Sequence, residues 1–468
     1  MVLRHTTTLH KGTTMHIQLI QPRAPYGLHP YLPNGILNLA ARLHEASNTD
    51  VSFIDYNIDR KSGHMLGYAD ILGVGVLGTP YIPEAVTLVR KIRAMHFRQR
   101  VVVGGQGVMR LTHEQFGRIF AGLGDVVLAR NDTEIADAFS VPTLPSMFDA
   151  QTDLAMIMLP KHYAQAYLSQ EWCLFTSDGC VYSCGFCAAS KGQREQFRTM
   201  RAVEKEVAVL AAMTLSIGKT FADVYLSSLD ITQNPEQMEA VLAIACNVAS
   251  TMDVPLRMRG LATAKTLIRA VRNDPDILTR WREYGVHTIG LGVDNSGKAV
   301  WLREHKQHNS DDTIDAALTA ISDADMTPEA LTVVGFREDS TREIFTAMEN
   351  ALRYAAMPLA HRVVVRPYLG KKPAPGSDAW EEDGEDVQRF LANPALFRQL
   401  DYGAMASPAT HPSRRQRYVV NAAYLATVAG LKLTERGCPT VPLLAAEEGS
   451  LPWRVAARLI NSVLPRDK

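Results

Sequence analysis

The chain has 468 residues, 46% hydrophobic and 21% charged, the balance of a soluble globular protein with material for two or three domains. Lys and Arg total 49 and so do Asp and Glu, a formal net charge of zero. That lacks the basic surplus of proteins that live on nucleic acid, and points to a small-molecule or peptide partner. No run of 18 apolar residues occurs and the N-terminus has no signal-peptide layout, so no membrane span is expected and the cytoplasm is the expected compartment.

Residues 1–14 read as a loose tail, with Met15 an alternative start just ahead of the first strand. From 15 to 140 strands and helices alternate. HIQLIQ (16–21), VSFIDYNI (51–58), ADILGVGVLG (69–78), VVVGG (101–105) and DVVLAR (125–130) are the strands; 35–46 and 84–95 are helices with apolar residues on one face. This order predicts an α/β fold with a doubly wound parallel sheet of Rossmann/flavodoxin-like type, which binds ligands at the carboxyl ends of its strands. Small residues stand there: Gly78, Thr79, Gly104, Gly105 and Gln106. They suit either close approach of a ligand or plain tight turns.

Residues 141–168 read as a linker through Pro142, Pro145 and Pro160. A second alternating region, 169–370, has strands at 172–177, 223–228, 255–260, 287–293, 329–336 and 362–368. Helices lie near 202–213, 236–250, 264–283, 311–323 and 341–356. Six strands with crossing helices predict a partial (β/α)6 barrel, whose active site would lie at the carboxyl ends of the strands. From 371 to 468 the chain turns polar and then helical, a mainly helical C-terminal extension expected to close the barrel mouth.

Of six cysteines, three crowd into eight residues: Cys180-Val-Tyr-Ser-Cys184-Gly-Phe186-Cys187. In a large chain without a secretory signal such crowding points to metal binding rather than disulfides. Three thiolates hold three irons of a [4Fe–4S] cube and leave the fourth open. A structural zinc site is the alternative, but no second ligand pair accompanies the motif. Cys246 reads as core; Cys438 reads as a plain thiol.

The CxxxCxxC pattern with an aromatic before the last cysteine resembles the signature of the radical S-adenosylmethionine (SAM) superfamily. The resemblance implies Cys180, Cys184 and Cys187 as ligands of one [4Fe–4S] cluster, SAM as co-substrate, and an electron donor such as flavodoxin or ferredoxin. It implies Phe186 beside the adenine, and Ser228 and Asp230, at the end of the second barrel strand, near the methionine amine. The family's Gly-Gly-Glu is absent there. Asp294 and Ser296 stand where the family's Gly-Val/Ile-Glu-Ser meets SAM, with Asp one methylene shorter than Glu. Val333 and Gly335 match half of the strand that lines the adenine. Arg257 and Arg259 share one face of a strand, suited to holding a carboxylate or to an ordinary salt bridge. Tyr225, His287 and Cys173 read as packing residues.

Residues 15–135 resemble the cobalamin-binding domain that precedes the barrel in one radical SAM class, through Pro33-Asn-Gly35, the Asp55 strand end, DILGVGVLGTPYIPEA and VVVGGQG. That implies cobalamin near Gly78, Thr79, Gly104, Gly105, Gln106 and Arg130. The Asp-x-His-x-x-Gly motif is absent, since the loop reads Gln21-Pro-Arg-Ala-Pro-Tyr-Gly27. Arg130-Asn131-Asp132 replaces the usual Gly-Glu-Gly-Glu. The implied activity is cobalamin-dependent methylation of an unactivated centre. The alternatives are a radical SAM cyclase, lyase or mutase with an empty N-terminal domain, or a non-catalytic iron–sulfur protein.

Overall fold

A computed structural model describes residues 15–433 apart from 26–31, 48, 60–68, 295–296, 372, 383 and 402–403. Its first sheet holds β1 (His16–Gln21), β2 (Asp50–Asp55), β3 (Ile71–Gly75), β4 (Arg100–Gly104) and β5 (Val126–Ala129), all parallel, in the order β2-β1-β3-β4-β5. Successive residues of β1 feed opposite cores. Ile17 and Leu19 pack with α1 (Asn34–Ser47) and α4 (Asp132–Ala138). Ile20 packs with α2 (Ile82–Ala94) and α3 (His113–Ile119). This is the two-sided burial that crossover helices impose on a parallel sheet. Helix starts follow local chemistry: Pro83 opens α2, a Thr112/Gln115 capping box opens α3, and Asn131 caps α4.

The strand order reverses direction between β1 and β3, the switch point at which such sheets receive ligands. Leu77, just beyond β3, is 41% exposed there.

The expected linker carries two helices, α5 (Thr152–Ile157) and α6 (Lys161–Leu168). Pro160 precedes α6 as its N-cap residue, so this proline starts a helix rather than marking a loop. Tyr167 donates to Asp55 at the end of β2 (2.7 Å). Thr152 and the Trp172 indole donate to Glu206, which forms a fully buried ion pair with Arg198.

The second sheet holds β6 (Trp172–Phe175), β9 (Ala222–Ser227), β10 (Leu256–Ala262), β11 (Val286–Gly292), β12 (Thr327–Val334) and β13 (Val364–Leu369). All pairs are parallel, and β6 and β13 do not meet, so the barrel is open. A short antiparallel pair, β7 (Ser177–Asp178) with β8 (Gln196–Phe197), brackets the cysteine loop. Crossing helices are α7 (Met200–Ser216), α8 (Pro235–Thr251), α9 (Ala264–Asn273), α10 (Ile277–Glu283), α11 (Lys298–Arg303), α12 (Asp311–Asp323) and α13 (Thr341–Ala355). The single helix expected over 264–283 is two. Asp274 is extended (φ −146°) ahead of Pro275, as the residue before a proline prefers.

The C-terminal segment divides. Helices α14 (Asp378–Glu382) and α15 (Gly384–Ala392) and the 3-10 turn Pro394–Leu400 send Trp380, Val387, Phe390, Leu391 and Phe397 into one core with β3, β4 and α2 of the first sheet. Helix α16 (Arg414–Leu433) packs on α13 and β13. The tail therefore braces the first sheet and the outer barrel edge, and it reaches the barrel mouth at Asp378, beside the cysteine loop, and at His411, beside the end of β12. Its expected last helix and Cys438 lie outside the described residues.

Phe390 is fully buried in that shared core, so Phe390→Ala is expected to destabilise the fold by about 3–5 kcal/mol. Calorimetry should show a clear drop in unfolding temperature. Tyr418→Ala, which trims a ring 81% exposed, should shift it little.

Candidate active site

The loop between β7 and β8 begins at Gly179. Its φ is +105°, and a Cβ there would stand 2.6 Å from the Arg194 carbonyl oxygen, so only glycine fits. Cys180 donates its N–H to the Ser190 carbonyl and accepts from Gln193 (both 2.9 Å). Cys187 closes a turn onto the Cys184 carbonyl (3.1 Å). Between them Gly185 is gripped from two sides. Its N–H donates to Glu304 (3.0 Å) after α11, and its carbonyl accepts from Asp378 (2.8 Å) of the tail. The Lys191 ammonium adds bonds to the Cys184 carbonyl (3.3 Å) and the Asp378 carboxylate (2.8 Å).

All three thiols are half-buried and free. Burial pushes the Cys184 thiol up to about 11, against the pull of Lys306 and Lys191; burial also raises Cys180. Each of these two thiols feels the charge of Cys187, so the three share one field. Among the described residues no three His, Cys, Asp or Glu side chains already converge as an ion cage. The donor set, three thiols with no histidine among them, suits an iron–sulfur cluster.

Lys306 was not singled out by sequence. Its side chain is almost wholly buried, ion-paired to Asp294, donates to the Gly292 carbonyl (2.8 Å) and lies 5.7 Å from the Phe186 ring centroid. Burial lowers its ammonium to about 8, opposed by the three thiols and Asp230. Asp294 takes a left-handed φ of +48°. Ser296 lies outside the described residues.

Opposite in charge stands Glu195, also missed. It accepts from Ser177 (2.6 Å), Ser228 (3.3 Å) and Gln233 (3.4 Å), and Gln233 in turn accepts from the N–H of Val181, next to Cys180. Burial holds its carboxyl up at about 7. Asp230 is buried and accepts from the hydroxyls of Thr232, Thr263 and Thr266 and from the Thr232 N–H. Those bonds occupy the carboxylate that resemblance assigned to a ligand amine, and they tie the ends of β9 and β10 together.

On the far side Phe186 faces Phe336 (ring centroids 5.6 Å), which follows Val333 and Gly335 at the end of β12. Tyr182 stacks on His308 (3.9 Å), whose imidazole burial keeps neutral by lowering it to about 4. Arg259 binds Glu171 (2.7 Å) and Glu329 (3.2 Å), and Arg257 binds Asp223 (2.5 Å). Of the two readings for these arginines, the salt bridge is the observed one.

At the first sheet, Gly105 (φ +103°) lies so close to the Val76 carbonyl that a Cβ would stand 2.7 Å from it, and Gly107 is as close to Gly78. These glycines serve loop-on-loop packing. Gly78 has room, its nearest neighbour being Pro80 at 3.7 Å, and Gln106 is exposed. Thr79 opens a 3-10 turn. Gly104 packs against the Ala129 carbonyl. Arg130 is engaged by Glu134 (2.7 Å), so its guanidinium is already paired. The turn after β4 reaches the cysteine loop directly: Arg110 donates to the Ala189 carbonyl (3.1 Å).

Residues 174–351 match the family model described as the Radical SAM superfamily. The fold is similar to that of the radical SAM methyltransferase TsrM from Kitasatospora setae, solved with cobalamin and a [4Fe–4S] cluster. The TM-score is 0.62 at 14% identity, over 96% of this chain and 99% of that one. It is also similar to the cobalamin-dependent SAM radical enzyme OxsB, solved with aqua-cobalamin (TM-score 0.58, 13% identity). That likeness covers 91% of this chain and 62% of the longer OxsB chain. No curated protein sequence matches. Among the described residues no helix is long and apolar enough to cross a membrane.

The Glu195 carboxyl, held at about 7 against 4.5 in the free state, binds a proton in the folded chain that the unfolded chain releases. The stability this carboxyl contributes is therefore fully present below about pH 4.5 and is lost as pH rises through about 7. Glu195→Gln removes this term. In the iron-free protein, the variant's denaturation midpoint should gain on wild type between about pH 5 and about pH 8. A constant difference across that range would show that Glu195 is not so perturbed.

Proposed function

The chain carries a radical SAM domain at residues 174–351, and from that premise we propose a cobalamin-dependent methyltransferase acting on an unactivated centre of a small metabolite or peptide. The observation that carries this reading is the Arg110–Ala189 contact. Through it the ligand-binding edge of a doubly wound sheet abuts the three-thiol loop, so groups bound at each would face a common space.

When bound, the cluster supplies one electron to SAM and cobalamin supplies a carrier for the methyl group. The chain's own residues do the rest. Cys180, Cys184 and Cys187 would hold the cluster. Phe186, Phe336, Val333 and Gly335 form the wall for the adenine. Glu195 has only neutral donors around it and offers its charge, with Ser228, to the ammonium of SAM. Lys306 and Asp294 lie on the opposite flank, where the ammonium draws a carboxylate. At the first sheet, the open ground by Leu77, Gly78 and Gln106 suits a flat apolar ring. An electron-donor protein is the partner this chemistry requires.

A second reading, a cyclase, lyase or mutase with no corrinoid, is favoured by the packing of Gly105 and Gly107 and by the pairing of Arg130. One experiment separates them. The protein is produced anaerobically with hydroxocobalamin, freed of unbound cofactor, and assayed for iron, corrinoid and, with reductant, 5′-deoxyadenosine. About four irons and about one corrinoid per chain are expected, with Cys184→Ser losing most of the iron. Iron without corrinoid would turn the search to the second reading. Iron with no SAM-derived product under any substrate would favour a non-catalytic iron–sulfur protein.

A further inference from the structure

His411 belongs to the tail, far along the chain from the cysteine loop, and is completely buried. Its Nε2 lies 3.0 Å from the Gly335 carbonyl oxygen. That oxygen only accepts, so Nε2 carries the proton and donates. Nδ1 is then an acceptor, and the Thr410 hydroxyl stands 3.1 Å away to supply it. Burial holds the ring neutral, lowering it to about 4. Tautomer and orientation are therefore set by two partners, one at each ring nitrogen.

The carbonyl it grips sits at a demanding point. Gly335 ends β12 with a φ of +71°, and a Cβ there would stand 2.7 Å from Val420 of α16. The tail thus presses on this turn as well as bonding to it. Gln416 donates to the Arg337 and Asp339 carbonyls just beyond. Arg417 donates to the carbonyl of His411 itself (2.7 Å). The turn that these bonds hold carries Phe336, the ring that faces Phe186 in the cysteine loop.

We propose that His411 is a positioning residue for SAM. By holding the Gly335 carbonyl, it fixes the turn that sets Phe336 and the end of β12 against Phe186, and so shapes the adenine wall from behind. It touches no ligand itself. The inference rests on the reading that Val333 and Gly335 line the SAM adenine, and the test separates the two.

SAM affinity is measured on the reconstituted, unreduced holoenzyme by anaerobic equilibrium dialysis, with iron content read in parallel. His411→Ala is expected to bind SAM about tenfold more weakly while keeping its iron, since a buried carbonyl loses its donor. His411→Gln, whose amide N–H can reach the same oxygen, should recover most of that loss, whereas His411→Leu, which fills similar space without a donor, should not. Val333→Trp, which fills the wall itself, should abolish binding. Unchanged affinity in His411→Ala beside a dead Val333→Trp overturns the role of His411, as does a glutamine variant no better than alanine. Normal binding in Val333→Trp overturns the underlying reading of β12. Should His411→Ala fail to fold, Thr410→Val keeps the ring and removes the partner that orients it. An affinity equal to wild type in that variant would overturn the proposal.

Discussion

Two backbone hydrogen bonds at Gly185 tie the cysteine loop to two distant parts of the chain at once. One runs to the end of α11 in the barrel, the other comes from Asp378 in the tail. A Cβ at Gly185 would stand 3.0 Å from the Asp378 carboxylate, so any larger residue there would press on the side chain that follows the grip. Three separate parts of the chain therefore meet at Gly185, directly after Cys184. The tail that supplies Asp378 shares its apolar core with the first sheet. Through it the packing of Trp380 and Phe390, far from the thiols, bears on where the thiols stand. Irregular loops gain such rigidity only by borrowing it from packed elements, and this loop borrows from both sheets.

Charge is divided across the same site. Lys306 and Asp294 form a buried pair on one flank, beside Phe186. Glu195 and Asp230 lie on the other, where hydroxyls, an amide side chain and a backbone N–H, all neutral donors, bond to their carboxylates. The two acids differ in kind. Asp230 is saturated by threonines and serves the fold, whereas Glu195 is only partly covered and holds its charge at a cost that burial imposes. An ammonium placed beside Glu195 would relieve that cost. That is the physical sense in which an amino acid end of a ligand suits this space.

Much of the frame was legible in the sequence. Parallel strands buried on both faces announce themselves as apolar runs, and each predicted strand lies where the structure has one. The break at Asp274 was legible too, since Pro275 forbids the helix there, but apolar periodicity ran across it and won. Pro160 misled in the opposite sense, because proline opens helices as readily as it ends them. The three thiols stood out because groups carried on one loop lie close in sequence. Glu195, Lys306 and His411 were not, because each reaches the site only through tertiary packing, and a lone Glu, Lys or His carries no spacing to read. Asp230 shows the converse: its position at a strand end was right for a ligand contact, and only the threonines of the neighbouring segment reveal that its oxygens are taken. Gly105 and Gly107 behave alike, their smallness demanded by Val76 and Gly78.

The 2-1-3-4-5 order of the first sheet has a consequence for the second. Reversal of strand order opens a crevice beside β1 and β3. The turn after β4, next to that crevice, sends Arg110 to the cysteine loop. The N-terminus of α1, also from the first sheet, does the same, its Asn34 amide donating to the Cys173 carbonyl of β6 in the barrel (2.5 Å). Contacts from the carboxyl-end loops of one sheet to both the first strand and the first loop of the other leave little freedom for the two sheets to swing apart. The spacing between that crevice and the cysteine loop is therefore set by packed contacts rather than by a hinge.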